Sequence, residues 1–259
     1  MILKDKVVLI TGSGNGIGAA ITEAMAEAGA TIVAADIDVE AARRSADKAA
    51  SYQVRALPVQ VDVREVASIN AMIEKTVAEF GRLDVIVNNA GVTRRAYIMD
   101  LTEEDWDRIH TVNARGVFFC LQGAARVMIE QGGGRIINIA SIAGRGYLNT
   151  SNAAYAASKG AVISLTKTAA QQLGRYNINI NAICPGVTNT PMGDAIAKIK
   201  AKEQGVSVKE ARRNALKTIP IGRANEPSDI AAMAVFLASP GARNITAQAY
   251  NVDGGLVPC

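Results

Sequence analysis

The sequence of 259 residues has the length of one large domain, and its 49% hydrophobic and 20% charged residues are ordinary for a globular protein. No apolar run approaches about 18 residues, so no membrane span is expected. A net charge of +4 without a basic strip interleaved with aromatic residues argues against a nucleic-acid binder. Three cysteines without CxxC spacing and a single histidine predict a cytoplasmic protein with neither a disulfide framework nor a metal site.

The first predicted strand, over residues 6–10, runs into the glycine-rich segment TGSGNGIG at 11–18, which opens a predicted helix. Its GxxxGxG spacing differs from the commonest dinucleotide fingerprint, GxGxxG. The mechanism is the same, because the backbone must approach a pyrophosphate closely and the helix N-terminus offers it unpaired N–H groups. An ordinary glycine-rich turn fits the same residues, so this segment indicates a cofactor site only together with other signals.

The second predicted strand ends at Asp36, about 20 residues past the glycine turn. A carboxylate at this place accepts hydrogen bonds from an adenosine ribose diol and repels a phosphate on that ribose. No Lys or Arg stands at Ile37, and the residue before Gly16 is Asn15. These features favour NAD over NADP, whereas the alternative for Asp36 is a solvated carboxylate at a strand end.

The rest of the chain continues the alternation of strand and helix. Further helices are predicted over about 39–50, over 65–80 with Gly81 as the stop, after Thr102 and through Asn113, around Tyr155 and over 227–237. The intervening strands are mostly apolar runs that end at Asp62, at Asn88–Gly91, at Ser141 and at Pro185–Gly186, and the last strand covers about 248–252. This pattern predicts an α/β fold, a single domain with a doubly wound parallel sheet whose ligands bind at the carboxyl ends of the strands.

Tyr155 and Lys159 lie four residues apart in the segment YAASK, which places them on one face of a helix. A cation about 4 Å from a phenol supplies roughly the 4 kcal/mol needed to lower its pKa by about three units. The pair is therefore expected to act as a general acid and base near neutral pH. Such pairs also occur by chance in many helices, so the interpretation depends on the surrounding motifs.

Taken together, the motifs TGSGNGIG, Asp62, NNAG at 88–91, Asn113, Ser141, YAASK and PGVTNT at 185–190 resemble those of the classical short-chain dehydrogenase/reductase family across essentially the whole chain. The resemblance implies a Rossmann-type fold with seven parallel strands, assembled as a homotetramer. It implies that Tyr155 is the acid/base, that Lys159 lowers the pKa of Tyr155 and holds the nicotinamide ribose, that Ser141 binds the substrate oxygen and that Asn113 anchors a water. The expected chemistry is hydride transfer between NAD(H) and a secondary alcohol or ketone of polyol, sugar, cyclic or hydroxy-acid type.

The resemblance also extends the cofactor-binding set, in which Thr188 and Thr190 match positions that contact the carboxamide and Asp62 matches one near adenine. The complete expected set is Gly12, Asn15, Gly16, Ile17, Gly18, Asp36, Ile37, Asp62, Val63, Asn89, Ala90, Gly91, Tyr155, Lys159, Pro185, Gly186, Val187, Thr188 and Thr190.

The substrate is left open by the sequence. Residues 188–225 form an insertion, expected to cover the substrate within the single catalytic domain 1–259, and this insertion is rich in lysine and arginine. Together with Arg94, Arg95, Arg145 and Asn149 at or near strand ends, it predicts an anionic substrate. A solvated helix face is the alternative interpretation of these charges. Among functions, a 3-oxoacyl thioester reductase is the alternative enzyme, and a binding module that senses the nucleotide is a weaker one, because Tyr155 and Lys159 are both present.

Overall fold

In the computed structural model, which describes residues 1–146 and 151–258, seven parallel strands form one sheet in the order β3-β2-β1-β4-β5-β6-β7. The strands are β1 (Val7–Thr11), β2 (Thr31–Asp36), β3 (Ala56–Gln60), β4 (Val85–Asn88), β5 (Gly134–Ile139), β6 (Ile178–Pro185) and β7 (Ala249–Val252). The strand order reverses between β1 and β4, so β1 and β4 border the switch point at which ligands bind in such sheets. The prediction of a doubly wound seven-stranded parallel sheet is confirmed.

The helices that connect these strands cover both faces of the sheet. They are α1 (Gly16–Glu27), α2 (Val39–Ala50), α3 (Val66–Phe80), α4 (Glu103–His110), α5 (Val117–Glu130), α6 (Ala153–Leu173), α7 (Pro191–Gln204), α8 (Val208–Leu216) and α9 (Pro227–Ala238). Alternate residues of a strand point to opposite faces, and β1 shows the consequence. Val8 and Ile10 pack against α1, α2 and α9, while Val7 and Leu9 pack against α3, α5 and α6.

Local sequence signals explain where several of these helices begin and end. Thr102 caps α4 through a capping box, in which its hydroxyl accepts from the Asp105 N–H and the Asp105 carboxylate accepts from the Thr102 N–H. Gly81 ends α3 at φ 75°, a left-handed conformation that favours glycine. Thr190 caps α7, whose first residue is Pro191, so the chain turns sharply from β6 into this helix.

One region differs from the helices expected from the sequence. The helix that Thr102 caps was expected to contain Asn113, but α4 ends at His110 and Asn113 lies in a π-helical turn over Thr111–Gly116. Such wide turns occur mostly within helices and frequently at functional sites. The polar insertion after β6 is itself helical, since α7 and α8 occupy most of residues 188–225. Among the described residues, no helix is long and apolar enough to cross a membrane.

Candidate active site

The carboxyl ends of the strands open into a cleft of about 1440 Å³. Every residue predicted from the sequence to bind the cofactor lines this cleft, and so do Ser141, Tyr155 and Lys159. The cleft runs from the glycine turn, past Tyr155, to the underside of α7 and α8. The geometry thus brings the predicted nucleotide site, the predicted acid/base pair and the insertion into one continuous space.

The glycine turn is packed too tightly to accept side chains. Gly12 and Gly16 have φ values of 64° and 55°, in the left-handed region that favours glycine. At Gly18 a Cβ atom would lie 2.0 Å from the Gly12 carbonyl oxygen. Asn15, the residue at the N-cap of α1, makes no side-chain capping hydrogen bond. The first N–H groups of α1 therefore face the cleft without side-chain acceptors, an arrangement that suits an anion such as a pyrophosphate.

The carboxylate of Asp36 is oriented by backbone donors on both sides. Its Oδ2 atom accepts from the Gly14 N–H at 2.8 Å, and its Oδ1 atom accepts from the Asp38 N–H at 3.0 Å. A Cβ atom on Gly14 would lie 2.9 Å from Oδ2, so glycine is required there. Each carboxylate oxygen keeps further acceptor capacity, and both point toward the same end of the cleft as the glycine turn.

Asp62 lies beside this end of the cleft and forms an ion pair with Arg64. The Arg64 Nη2 atom donates to Asp62 Oδ2 at 2.6 Å, and hydrogen bonds from Arg64 hold the pKa of the Asp62 carboxyl below its usual value. Arg64 also lines the cleft. Its positive charge is neutralised by the ion pair with Asp62.

Ser141, Tyr155 and Lys159 form the polar floor of the cleft. The Ser141 hydroxyl accepts from the Ala143 N–H at 3.1 Å, and a side-chain hydrogen bond joins Ser141 to Tyr155. Lys159 Nζ lies 5.8 Å from the centre of the Tyr155 ring and donates to the Ile139 carbonyl oxygen at 2.8 Å. Strand β5 therefore holds the ammonium, and the tyrosine ring stands beside it on α6.

The pKa of Tyr155 was expected to fall below its ordinary value, but in this geometry it is raised. Burial raises the pKa of Tyr155 to about 12, and the hydrogen bond with Ser141 only partly opposes this effect. Burial also lowers the pKa of Lys159 to about 8, against a smaller opposing effect of Cys184. Desolvation disfavours the charged form of both groups, and the Lys159 ammonium donates to the Ile139 carbonyl oxygen.

Asn113 lies behind the cleft rather than in its lining. Its side chain is fully buried, accepts from the Val92 N–H at 2.8 Å and donates to the Val92 carbonyl at 2.9 Å and to Ser158 Oγ at 3.1 Å. Both amide hydrogens are thus used within the protein. The side chain fixes the segment after NNAG against the helix that carries Tyr155, a positioning role that spacing alone does not reveal.

Asn152 is a second positioning residue, and the sequence reasoning missed it. Its Oδ1 atom accepts from the Tyr155 N–H at 2.8 Å and caps α6, while its Nδ2 atom donates to Thr93 Oγ1 at 3.3 Å and to the Arg94 carbonyl. It joins the first turn of α6 to the loop after β4. An Asn just before an alanine-rich helix is a recognisable N-cap signal, so the sequence did hold a clue to this residue.

The predicted basic substrate cluster is largely dispersed. Arg94 pairs with Asp105 and Arg145 donates to the Ala249 carbonyl and Asn251, and neither residue lines the cleft. Arg95 does line the cleft, but its guanidinium is paired with Glu203 at 2.9 Å. Asn149 lies outside the described residues. A local carboxylate thus binds the guanidinium of Arg94 and a local carbonyl binds that of Arg145, and their contact with a substrate stays a prediction.

Comparison with known proteins now identifies the family. A family model described as enoyl-(acyl carrier protein) reductase matches residues 12–257. The chain is also 41% identical, over 98% of its own length and 98% of the other protein, to galactitol 2-dehydrogenase of Agrobacterium fabrum. The chain belongs to the classical short-chain dehydrogenase/reductase family. Family membership makes it an oxidoreductase that acts on alcohols or ketones, as the sequence motifs indicated.

Other members of the short-chain dehydrogenase/reductase family are nearly as similar. The chain is 40% identical to 3-oxoacyl-(acyl-carrier-protein) reductase of Thermotoga maritima, over 99% of this chain and 100% of that protein. Among solved structures, NAD+-bound xylitol dehydrogenase matches with a TM-score of 0.93 and 32% identity, covering 98% of this chain and 100% of the other. The galactitol dehydrogenase and the 3-oxoacyl reductase thus differ by one percentage point in their identity to this chain. Overall identity therefore does not select the substrate.

Proposed function

We propose that the protein is an NAD(H)-dependent dehydrogenase that interconverts a secondary alcohol and a ketone, with a polyol, sugar, cyclic alcohol or hydroxy acid as substrate. The observation that carries the proposal is the placement of Tyr155, Ser141 and Lys159 on the floor of the same cleft as Asp36 and the glycine turn. The similarity to galactitol 2-dehydrogenase and to NAD+-bound xylitol dehydrogenase supports this substrate class. Reduction of a 3-oxoacyl thioester is the alternative, favoured by the Thermotoga maritima relative.

The described residues fit a nicotinamide dinucleotide. The uncapped start of α1 suits the pyrophosphate, and the carboxylate of Asp36 suits the adenosine ribose. Thr190, the N-cap of α7, packs 3.4 Å from the position a Cβ would take on Gly16, so the segment between β6 and α7 packs against the glycine turn. When bound, the cofactor would supply the hydride acceptor or donor and, in its oxidised form, a positive charge.

In the proposed oxidation, the substrate hydroxyl loses its proton to the Tyr155 phenolate oxygen, and a bound nicotinamide dinucleotide would take the hydride from the carbon that bears this hydroxyl. Ser141 accepts the Ala143 N–H, which leaves its own proton to donate toward the substrate oxygen or Tyr155. Lys159 contributes positive charge that favours the phenolate. Because burial raises the Tyr155 pKa to about 12 despite the opposing hydrogen bond with Ser141, the tyrosine needs further positive charge in the assembled complex before it can act as a base near neutral pH.

Cofactor choice is tested by measuring kcat/KM with NAD and with NADP for a panel of secondary alcohols. A 3-oxoacyl thioester is measured in the same way with the reduced form of each cofactor. We expect a polyol, sugar, cyclic alcohol or hydroxy acid to give the highest value, with NAD preferred by at least about tenfold, because Asp36 repels the ribose phosphate. Asp36→Asn keeps an acceptor for the Gly14 N–H but removes the charge, so it is expected to narrow that preference.

Asp47→Asn is the matched control, since it removes an exposed carboxylate from the adjacent helix α2. It is expected to leave the ratio of NAD to NADP unchanged. Equal kcat/KM for the two cofactors in the wild-type protein, or a preference for NADP, would reject the proposed role of Asp36. A thioester reduced far more efficiently than any alcohol is oxidised would favour the alternative function.

We further propose a homotetramer in the cytoplasm, with residues 188–225 covering the substrate. The tetramer is supported by the family resemblance and by exposed large apolar side chains such as Phe118 on α5 and Phe236 on α9. The cytoplasmic location rests on cysteine spacing, and cell fractionation tests it. Light scattering should give four times the monomer mass, and a monomeric mass at micromolar concentration would contradict the assembly.

A further inference from the structure

The side of α7 that lines the cleft carries one cation, Lys200, and one carboxylate, Asp194, which forms an ion pair with Arg212 of α8. Met192, Ile196, Ala197, Lys200 and Gln204 line the cleft at spacings of three or four residues, as one side of a helix does. Lys200 is half-buried on this face, whereas its neighbours Lys198 and Lys202 are exposed on the other side of the helix. A lysine that serves only solubility has no reason to occupy the inward stripe, where burial disfavours its charge.

Lys200 has no carboxylate of its own in the described part of the chain. Glu203, one turn further along α7, is bound by Arg95 Nε at 3.0 Å and Arg95 Nη2 at 2.9 Å. No ion pair within 4.0 Å joins a described carboxylate to Lys200. Two cations therefore share one carboxylate at the wall of the cleft, which leaves a single unbalanced positive charge.

The lowered pKa of Lys200 agrees with this unbalanced positive charge. Burial lowers the pKa of its ammonium, the positive charge of Arg95 lowers it further, and Glu203 opposes both effects. An anion placed between Lys200 and Arg95 would relieve the repulsion between them and replace the water that burial removes. One unbalanced charge matches a monoanion better than a doubly charged phosphate group.

We propose that Lys200, assisted by Arg95, binds a carboxylate of the substrate, so that the preferred substrates are hydroxy acids whose carboxylate lies under α7 while the hydroxyl lies at Tyr155. The inference rests on the proposed alcohol dehydrogenase function and narrows its substrate class. It relocates the anion site that the sequence suggested, because Arg94 and Arg145 are outside the cleft and only Arg95 remains from that group. Lys200 then sets specificity and takes no part in the proton transfer.

The test compares a series of hydroxy acids, with two to six carbons between hydroxyl and carboxylate, with their methyl esters as neutral partners. We expect kcat/KM for the acid to exceed that for its ester by at least about tenfold at one chain length, with the preference reduced at high salt. Lys200→Met should lower the acid's value at least about tenfold more than the ester's. Lys200→Arg, which keeps the charge, should retain part of the preference.

Lys198→Met is the matched control, because it removes the same charge from the exposed side of the same helix, and it should leave the acid-to-ester ratio as in the wild type. Calorimetric titration of wild type and Lys200→Met with the same acids and esters gives Kd values that do not depend on turnover. Efficient turnover of esters without preference for acids, or an equal ratio in wild type and Lys200→Met, would overturn the carboxylate site alone. Absence of turnover with these acids and esters and with every other secondary alcohol of the panel would reject the proposed function, and equal Kd values for acid and ester would then still overturn the site.

Discussion

Tyr155→Phe is expected to reduce turnover roughly a thousandfold, which is within the range that general acid–base groups contribute. The phenylalanine ring fills the same place on α6 but has no hydroxyl to accept the substrate proton. Cofactor affinity should change little, because the glycine turn, Asp36 and the end of β6 are untouched. The measurements are kcat with the best alcohol from the panel and Kd for NAD by calorimetric titration.

Tyr176→Phe serves as the control, since Tyr176 lies in a short helical turn after α6 and its hydroxyl accepts from the neighbouring Arg175. It removes the same atom without touching the cleft and should keep nearly wild-type turnover. If Tyr155→Phe retained the wild-type kcat, Tyr155 could not be the acid/base group. If it lost both turnover and NAD binding, the tyrosine would serve the cofactor site rather than the chemistry.

The fold and the outline of the site were predictable because they depend on local patterns and on the direction of the strands. Apolar strands alternating with helices specify a parallel sheet, and in a parallel sheet the residues after each strand meet at one edge. Gly12, Asp36, Asn89 and Ser141 are far apart in sequence, yet each ends or follows a strand, and all of them line the cleft. The site could therefore be predicted from the sequence without knowledge of any tertiary contact.

What the sequence missed depends on contacts between distant residues and on burial. The charge of Arg95 is neutralised by Glu203, which is 108 positions away, and no pattern connects the two residues. The Tyr155 pKa was expected to fall because Lys159 is four residues away, but burial of the phenol raises it to about 12. The π-helical turn that carries Asn113 also follows no simple periodicity. Each of these features requires the packed structure.

Lys159 couples the chemistry of the site to the stability of the fold. Its side chain is 3% exposed, and burial lowers its pKa from 10.5 to about 8. At neutral pH the folded protein therefore holds a buried ammonium that would be better solvated in the unfolded chain. A shift of this size corresponds to a cost of about 3 kcal/mol at pH 7.

The sign of the pH dependence follows from proton counting. Between the folded pKa of about 8 and the unfolded value of 10.5, the unfolded chain binds more protons at Lys159 than the folded protein does. The free energy of unfolding therefore gains from this group as the pH rises through that window. Below pH 8 the cost is fully present, and above 10.5 it is gone.

Lys159→Met is expected to lower kcat at least about a hundredfold, because the ammonium that favours the phenolate is lost, while the fold survives at neutral pH. Removing the buried charge stabilises the protein by up to about 3 kcal/mol, and leaving the Ile139 carbonyl without its donor costs roughly 1–3 kcal/mol, so the two effects nearly cancel at pH 7.

Between pH 7 and pH 10, the free energy of unfolding of the wild type should gain about 2 kcal/mol relative to that of the Lys159→Met variant. Denaturant unfolding at both pH values measures this difference, in which the other titrating groups largely cancel. Lys167→Met, which removes an exposed lysine from the same helix, should show no such gain. A stability difference between wild type and Lys159→Met that stays constant from pH 7 to pH 10 would show that Lys159 is not a desolvated cation, and the coupling between site chemistry and stability would have to be abandoned.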